Sequence, residues 1–107
     1  MSRQIIFHPQ VAPDLRAAAA WYEIRTTGLG QSFKAEFFAV TERVAAWPLS
    51  QPLRFDSVRT AKLEHFPYLV FFVVEQEQVW VLAVQYAGRD PAILRSLMQV
   101  RNPTISP

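Results

Sequence analysis

Two arginines stand at the ends of apolar segments, where they could hold a negative charge. Arg59 lies near the start of an alternating stretch, and Arg89 follows a long apolar one. The arginine side chain presents a planar fork of donors that pairs with phosphate or carboxylate. If both side chains met beside one concave face of a sheet, they could stabilise a phosphate in a transition state. The alternative is structural, with each arginine capping carbonyls or pairing with Glu64 or Asp90.

Histidine offers one candidate for proton transfer. The ordinary pKa of His65 suits a general base acting on an RNA 2′-hydroxyl, although a plain loop histidine beside the following Phe-Pro pair is the alternative. His8 is the other histidine and cysteine is absent, so we expect no metal site. The pair Gly28-x-Gly30 has no strand before it, so it does not indicate a nucleotide loop. We therefore expect no cofactor.

Length and composition indicate one globular domain. The chain has 107 residues, of which 50% are hydrophobic and 13% aromatic, and its net charge is +2. This apolar content is enough for a packed core. No apolar run approaches the roughly 20 residues of a membrane-spanning helix, and the first residues lack the apolar core of a signal peptide. We expect a cytoplasmic protein.

The first half of the chain predicts a short strand and a helical hairpin. Residues 4–7 are β-formers, and apolar residues recur at helical spacing over residues 10–25 and again over residues 31–47. Two glycines between these helices mark a turn. A short loop between two amphipathic helices implies an antiparallel hairpin. We expect the two tryptophans of the hairpin and the one in the second half of the chain to be core anchors. These are Trp21, Trp47 and Trp80.

The second half predicts three strands, at residues 58–63, 68–75 and 79–86. The fold class is therefore α+β, in the order β-α-α-β-β-β, with the hairpin on one face of an antiparallel sheet. Both faces of the last two strands are apolar, so the C-terminal segment or another chain must cover the second face. Some apolar surface should remain exposed for a partner. We expect the domain to span residues 1–95, with a poorly ordered tail over residues 96–107.

Three short motifs follow one another along these segments. They are Trp21-Tyr22-Glu23 with Gly28-Leu29-Gly30 and Phe33, then Arg59 with Leu63 and Phe66-Pro67-Tyr68, then Leu82-Ala83-Val84 with Arg89-Asp90-Pro91. Together they resemble the RelE/ParE superfamily of toxins from type II toxin–antitoxin modules, in its ParE-like, plasmid-stabilisation branch. The chain departs from many relatives at Tyr86, where they carry histidine, and at Gly88, where they carry a second basic residue.

The resemblance implies a toxin that inhibits DNA gyrase by protein contact and is neutralised by a cognate antitoxin. One alternative within the family is a RelE-type endoribonuclease that cuts mRNA on the ribosome. Another is a non-toxic binding module that kept the fold. The catalytic candidates that the resemblance implies are Arg59, Tyr86 and Arg89, and the candidates for binding a target or partner are Lys62, His65 and Asp90.

A single site requires that the candidates meet in space. We expect Arg59, Tyr86 and Arg89 to lie on one concave surface at one end of the sheet, because the start of the second strand and the end of the fourth could reach the same end. In a regular last strand, Tyr86 would share its face with Trp80, Leu82 and Val84. Lys62 would lie on the face opposite Arg59.

Overall fold

A five-stranded sheet forms the centre of the computed structural model, which describes residues 2–103. Its strands are β1 (Gln4–Phe7), β2 (Leu53–Phe55), β3 (Val58–Lys62), β4 (Tyr68–Glu75) and β5 (Gln78–Tyr86). Their spatial order is β1-β5-β4-β3-β2. β1 runs parallel to β5, and the other neighbouring strands are antiparallel. The sheet is thus mixed, and the α+β class is confirmed.

Helices α1 (Val11–Arg25) and α2 (Leu29–Ala46) form the expected hairpin. Their buried side chains pack on the side of the sheet that carries Val70, Phe72 and Val81, which we call the hairpin face. The turn between the helices is held by Glu23, whose carboxylate accepts hydrogen bonds from the amides of Gly28 and Gly30, both at 2.9 Å. The carboxylate thereby satisfies amides that the start of α2 leaves without helical partners.

A third helix, α3 (Pro91–Arg101), covers the opposite face of the sheet, which we call the α3 face. Its Leu94 and Met98 are fully buried against that face. The assignment of residues 96–107 to a poorly ordered tail is therefore wrong for residues 96–101, which belong to the folded domain. Residues 104–107 of that tail lie outside the described part of the chain. None of the described helices is long and apolar enough to cross a membrane.

A bulge in β5 changes which face its side chains occupy. Phe71 pairs with Ala83 while Phe72 pairs with Val81, so Leu82 is an extra residue without a partner across the strands. An extra residue inverts the alternation beyond it. Ala83 accordingly packs on the α3 face and Val84 on the hairpin face. The expectation that Tyr86 and Val84 share a face with Trp80 is wrong for this reason.

Two of the three tryptophans are not core anchors. Trp21 is 50% exposed and Trp47 is 70% exposed, whereas Trp80 is partly buried against the α3-face cluster. Trp21 falls beside the buried stripe of α1, which Val11, Leu15 and Ala18 form. Its ring therefore lies at the edge of the helical layer, where it can contribute to a surface site.

Candidate functional site

An open cleft lies where α1 meets the start of β4 and the end of β5. Its volume is about 530 Å³. Its walls are four aromatic side chains and one proline, namely Trp21, Tyr22, Pro67, Tyr68 and Tyr86. We call it the aromatic cleft. Trp21 and Tyr86 form its mouth, each with about half of its surface exposed. The prediction of an apolar surface left open for a partner therefore has a concrete location.

The rings of the aromatic cleft meet edge to face. The Trp21 and Tyr22 centroids lie 5.0 Å apart with an interplanar angle of 79°. Tyr68 lies 6.1 Å from Tyr22 at 63° and 6.0 Å from Tyr86 at 65°. Such tilted pairs are favourable arrangements of aromatic rings. The relative orientation of the walls is thus set by contacts among the rings themselves.

Burial perturbs the phenols inside the cleft. The pKa of Tyr68 is raised by burial first and then by the nearby Tyr22 and Tyr86 hydroxyls. The pKa of Tyr22 is likewise raised, mainly by burial and further by Tyr86. Because the ordinary tyrosine value is already 10.0, both hydroxyls are protonated at neutral pH. They can donate hydrogen bonds to a bound group, but they are not bases or nucleophiles.

Positive charge lies at the mouth of the cleft. The Arg25 guanidinium lies 3.3 Å from the centroid of the Trp21 ring and donates a 2.7 Å hydrogen bond to the Trp21 carbonyl. The Arg89 side chain donates instead to Gln85, which pairs with Leu69 of the α3 face, so its charge lies away from the mouth. Arg25 is in no ion pair within the described structure. The mouth can therefore attract an anionic group.

The register of the sheet separates Arg59 from the other catalytic candidates. Arg59 pairs with Phe72, whereas Tyr86 pairs with Tyr68 at the other end of β4. Four steps of about 3.3 Å along the strand and two strand spacings of about 4.8 Å place the Arg59 and Tyr86 Cα atoms roughly 16 Å apart. The Arg59 side chain donates a 2.6 Å hydrogen bond to the Gln51 carbonyl. Arg59 therefore caps a carbonyl, as its structural alternative predicted.

The expectation of one shared surface for Arg59, Tyr86 and Arg89 is wrong for a topological reason. Alternate strands of an antiparallel sheet run in the same direction. The start of β3 and the end of β5 must then lie at opposite ends of the sheet. Only Tyr86 and Arg89 remain neighbours, at the end of β5. Whether either of them has a catalytic role is a separate matter and stays a prediction.

The three candidates for binding a target or partner, which are Lys62, Asp90 and His65, lie in different places. Lys62 pairs with Leu69, whose side chain packs on the α3 face, so Lys62 is opposite Arg59 as expected. Asp90 caps α3, because its side chain accepts a 2.9 Å hydrogen bond from the Ala92 amide. This bond satisfies a free amide of the first helical turn. Among the residues from 2 to 103, no group of three potential metal ligands occurs.

His65, in the loop after β3, lines a neighbouring hollow that shares Tyr22 and Pro67 with the aromatic cleft. Its Nδ1 lies 2.6 Å from a Glu36 carboxylate oxygen, and its amide donates to the other oxygen at 2.9 Å. The hydrogen bond and charge of Glu36 raise the pKa of His65. Burial alone would raise the pKa of Glu36, but the bonds from His65 outweigh it and lower that pKa. The pair fastens the loop that carries Pro67 to α2.

Sequence reasoning missed Trp21, Tyr22 and Tyr68 as site residues. The sequence predicts Trp21 as a core anchor, and Tyr22 and Tyr68 enter the prediction as parts of family motifs. The available signal was spacing, since Trp21 falls outside the run Val11, Leu15, Ala18, Tyr22. A large aromatic residue beside a buried helical stripe is placed at its boundary. That position suits a wall of a surface cleft.

Comparison with known proteins identifies the family. The family model of the ParE toxin of the type II toxin–antitoxin system parDE matches residues 5–91. The solved structure of a chromosomal ParDE TA system from P. aeruginosa is similar, with 20% sequence identity, a TM-score of 0.66, and coverage of 79% of this chain and 96% of that chain. No curated protein sequence matches. The chain belongs to the ParE toxin family, and is a ParE-type toxin of a type II toxin–antitoxin system.

Proposed function

We propose that this ParE-type toxin inhibits DNA gyrase by protein contact and that a cognate antitoxin neutralises it. The observation that favours contact over RNA cleavage is the separation of Arg59 from Tyr86 and Arg89. Charged groups that stabilise a transition state must surround the same reacting atoms at hydrogen-bonding distance. Here the Cα atoms of Arg59 and Tyr86 lie roughly 16 Å apart, and the Arg59 side chain is bound to a backbone carbonyl. An endoribonuclease of the RelE type would have to work without it.

The surface at the end of β5 supports the same proposal. Its cleft exposes large aromatic side chains beside Arg25, and tryptophan, tyrosine and arginine are the residue types that dominate binding energy at protein interfaces. The similar solved structure is of a ParDE toxin–antitoxin system, which supports an antitoxin as one partner. Gyrase would be the second partner. The proposal places the protein in the cytoplasm with both.

Gyrase and mRNA assays run side by side test the target. Purified toxin is added to gyrase in a DNA supercoiling assay, and in parallel to ribosomes translating a defined mRNA. We expect inhibited supercoiling and intact mRNA. Cleaved mRNA with unaffected gyrase would refute the proposal in favour of the endoribonuclease. No effect in either assay would favour a non-toxic binding module that kept the fold.

An Arg89→Ala variant separates cutting from contact at the residue level. Removing a group that stabilises a transition state lowers the rate by about 10²–10³. If growth inhibition persists in a folded Arg89→Ala variant, Arg89 is not catalytic.

Neutralisation is tested with the product of the neighbouring reading frame. We expect it to bind the toxin, raise its melting temperature by mass action and restore supercoiling.

A further inference from the structure

We propose that the aromatic cleft holds an aliphatic side chain from an acidic segment of a partner protein. The inference rests on the proposed function in one respect, that the partner is the antitoxin. The cleft itself is defined by its walls, with Trp21 and Tyr86 at the mouth and Tyr68 between Tyr22 and Tyr86. The chemistry of the occupant follows from the shape and charge of these residues.

The shape of the cleft selects an aliphatic group over a flat ring. Adjacent rings of its walls are inclined to each other by 63° to 79°, so they do not form parallel plates. A nucleic-acid base binds by stacking its face on an aromatic face. A branched aliphatic side chain instead fills a pocket whose walls meet at steep angles. The exposed halves of Trp21 and Tyr86 would be removed from water by such an occupant, which is favourable.

The charge around the cleft selects acidic neighbours for that side chain. Two carboxylates near the cleft are engaged in ion pairs, Asp14 with Arg101 at 2.6 Å and Glu36 with His65 at 2.6 Å. Arg25, whose guanidinium lies on the Trp21 ring at the mouth, is in no ion pair within the described structure. Its field extends over about 10 Å before salt screens it. A segment with carboxylates next to the inserted side chain would therefore bind better than a basic one.

Negative charge at the opposite end of the cleft determines the orientation in which an acidic segment binds. There His65 is paired with Glu36, and Glu64 adds a second negative charge beside His65. An acidic segment would be repelled at that end and attracted at the Trp21 end. Its carboxylates therefore lie over Arg25, at the Trp21 end.

The walls are held in place before any partner binds. Phe66, next to Pro67, packs against Tyr22 and Phe33 with centroid distances of 4.8 Å and 5.0 Å. The same loop is tied to α2 by two contacts to Glu36. A preformed pocket avoids the ordering cost that a flexible one incurs on binding. The cleft is therefore suited to be an anchor point rather than a general sticky surface.

Peptide probes test the cleft without any need to identify the partner. The full chain is titrated with a peptide of alternating glutamate and leucine, its lysine–leucine counterpart and oligouridylate, while the indole resonance of Trp21 is followed by NMR. We expect the acidic peptide to shift this resonance and salt to weaken the effect. An equal or larger shift with the lysine peptide or with the RNA would overturn the inference. So would the absence of any shift with the acidic peptide.

Variants locate the binding and separate the inference from the proposed function. We expect Trp21→Ala to weaken binding of the acidic peptide and of the neighbouring gene's product by about tenfold or more, as for an interface anchor. Trp47→Ala removes a ring that is 70% exposed and outside the cleft, and should change binding by less than about twofold. Circular dichroism of both variants checks the fold.

The results with the acidic peptide and with the neighbouring gene's product distinguish a failure of the cleft inference from a failure of the proposed function. If the neighbouring product binds the Trp21→Ala variant as tightly as the parent and still neutralises it, the cleft inference is wrong and the proposed function stands. If the acidic peptide binds in the cleft but the neighbouring product does not bind the toxin, the cleft stands. The assignment of its occupant to that antitoxin is then wrong.

Discussion

Replacing Met98 by alanine tests whether α3 is an integral part of the fold. Met98 is 1% exposed and lies in the cluster with Leu94 on the α3 face. Truncating a buried methionine to alanine costs about 2–5 kcal/mol, because apolar contacts are lost and a cavity remains. For a domain of this size each kcal/mol lowers the melting temperature by about 4–8 °C. We therefore expect a fall of at least about 8 °C.

A matched control lies two residues further along the same helix. Val100 is 84% exposed, so Val100→Ala should change stability by no more than about 0.5 kcal/mol. Urea denaturation and thermal melting of both variants provide the measurement. If Met98→Ala does not fold, Met98→Leu conserves volume and should cost less than about 1.5 kcal/mol. Equal stability of Met98→Ala and Val100→Ala would refute the packing of α3 on the sheet.

Three further predictions concern loops and turns of the molecule. In the His65→Asn variant, the loss of stability relative to the parent should shrink as the pH rises from below 6.5 through the raised His65 pKa. The raised His65 pKa means that its bond to Glu36 stabilises fully below 6.5 and is lost as the pH rises through that raised pKa; a loss constant with pH in urea titrations would contradict this. Gln76 has a φ of 54°, so Gln76→Gly should raise stability by about 0.5–1 kcal/mol, and a lower denaturation midpoint would argue against strain there. A Cβ at Gly88 would lie 2.6 Å from the Tyr86 ring, so Gly88→Ala should displace that ring and weaken peptide binding at a stability cost of under about 1 kcal/mol, and unchanged Tyr86 ring resonances would show that the contact is absent.

The hairpin and the strands β3 to β5 could be predicted because their patterns are long and regular. β2 could not, since Leu53–Phe55 is only three residues long, follows a proline and pairs across a shifted register. α3 could have been predicted, because the signals of a helix are present in its sequence. Asp90 is an N-cap, a proline follows it in the first turn, and Leu94 and Met98 repeat at helical spacing. The motif was interpreted only as a family signature.

The candidate site was less predictable than the fold, because its parts come from separate elements. Trp21 belongs to α1, Pro67 to a loop, and Tyr86 to the end of β5. Local spacing can assign each of these residues to a helix, loop or strand, but not to a common cleft. The expected proximity of Arg59 and Arg89 is wrong for another reason, because it assumed that the start of β3 and the end of β5 reach the same end of the sheet. Strand direction alone was enough to exclude it.

The bulge at Leu82 explains why the cleft exists at all. In a regular strand Tyr86 would point to the α3 face with Trp80, since both lie at even spacing. The extra residue inverts the alternation, so that Tyr86 meets Tyr68 on the hairpin face. The disturbed backbone is stabilised by Arg101, which donates to the Leu82 carbonyl at 3.0 Å while it is paired with Asp14. The end of α3 thus supports the same irregularity that brings Tyr86 to Trp21, and the C-terminal helix contributes to the cleft without touching it.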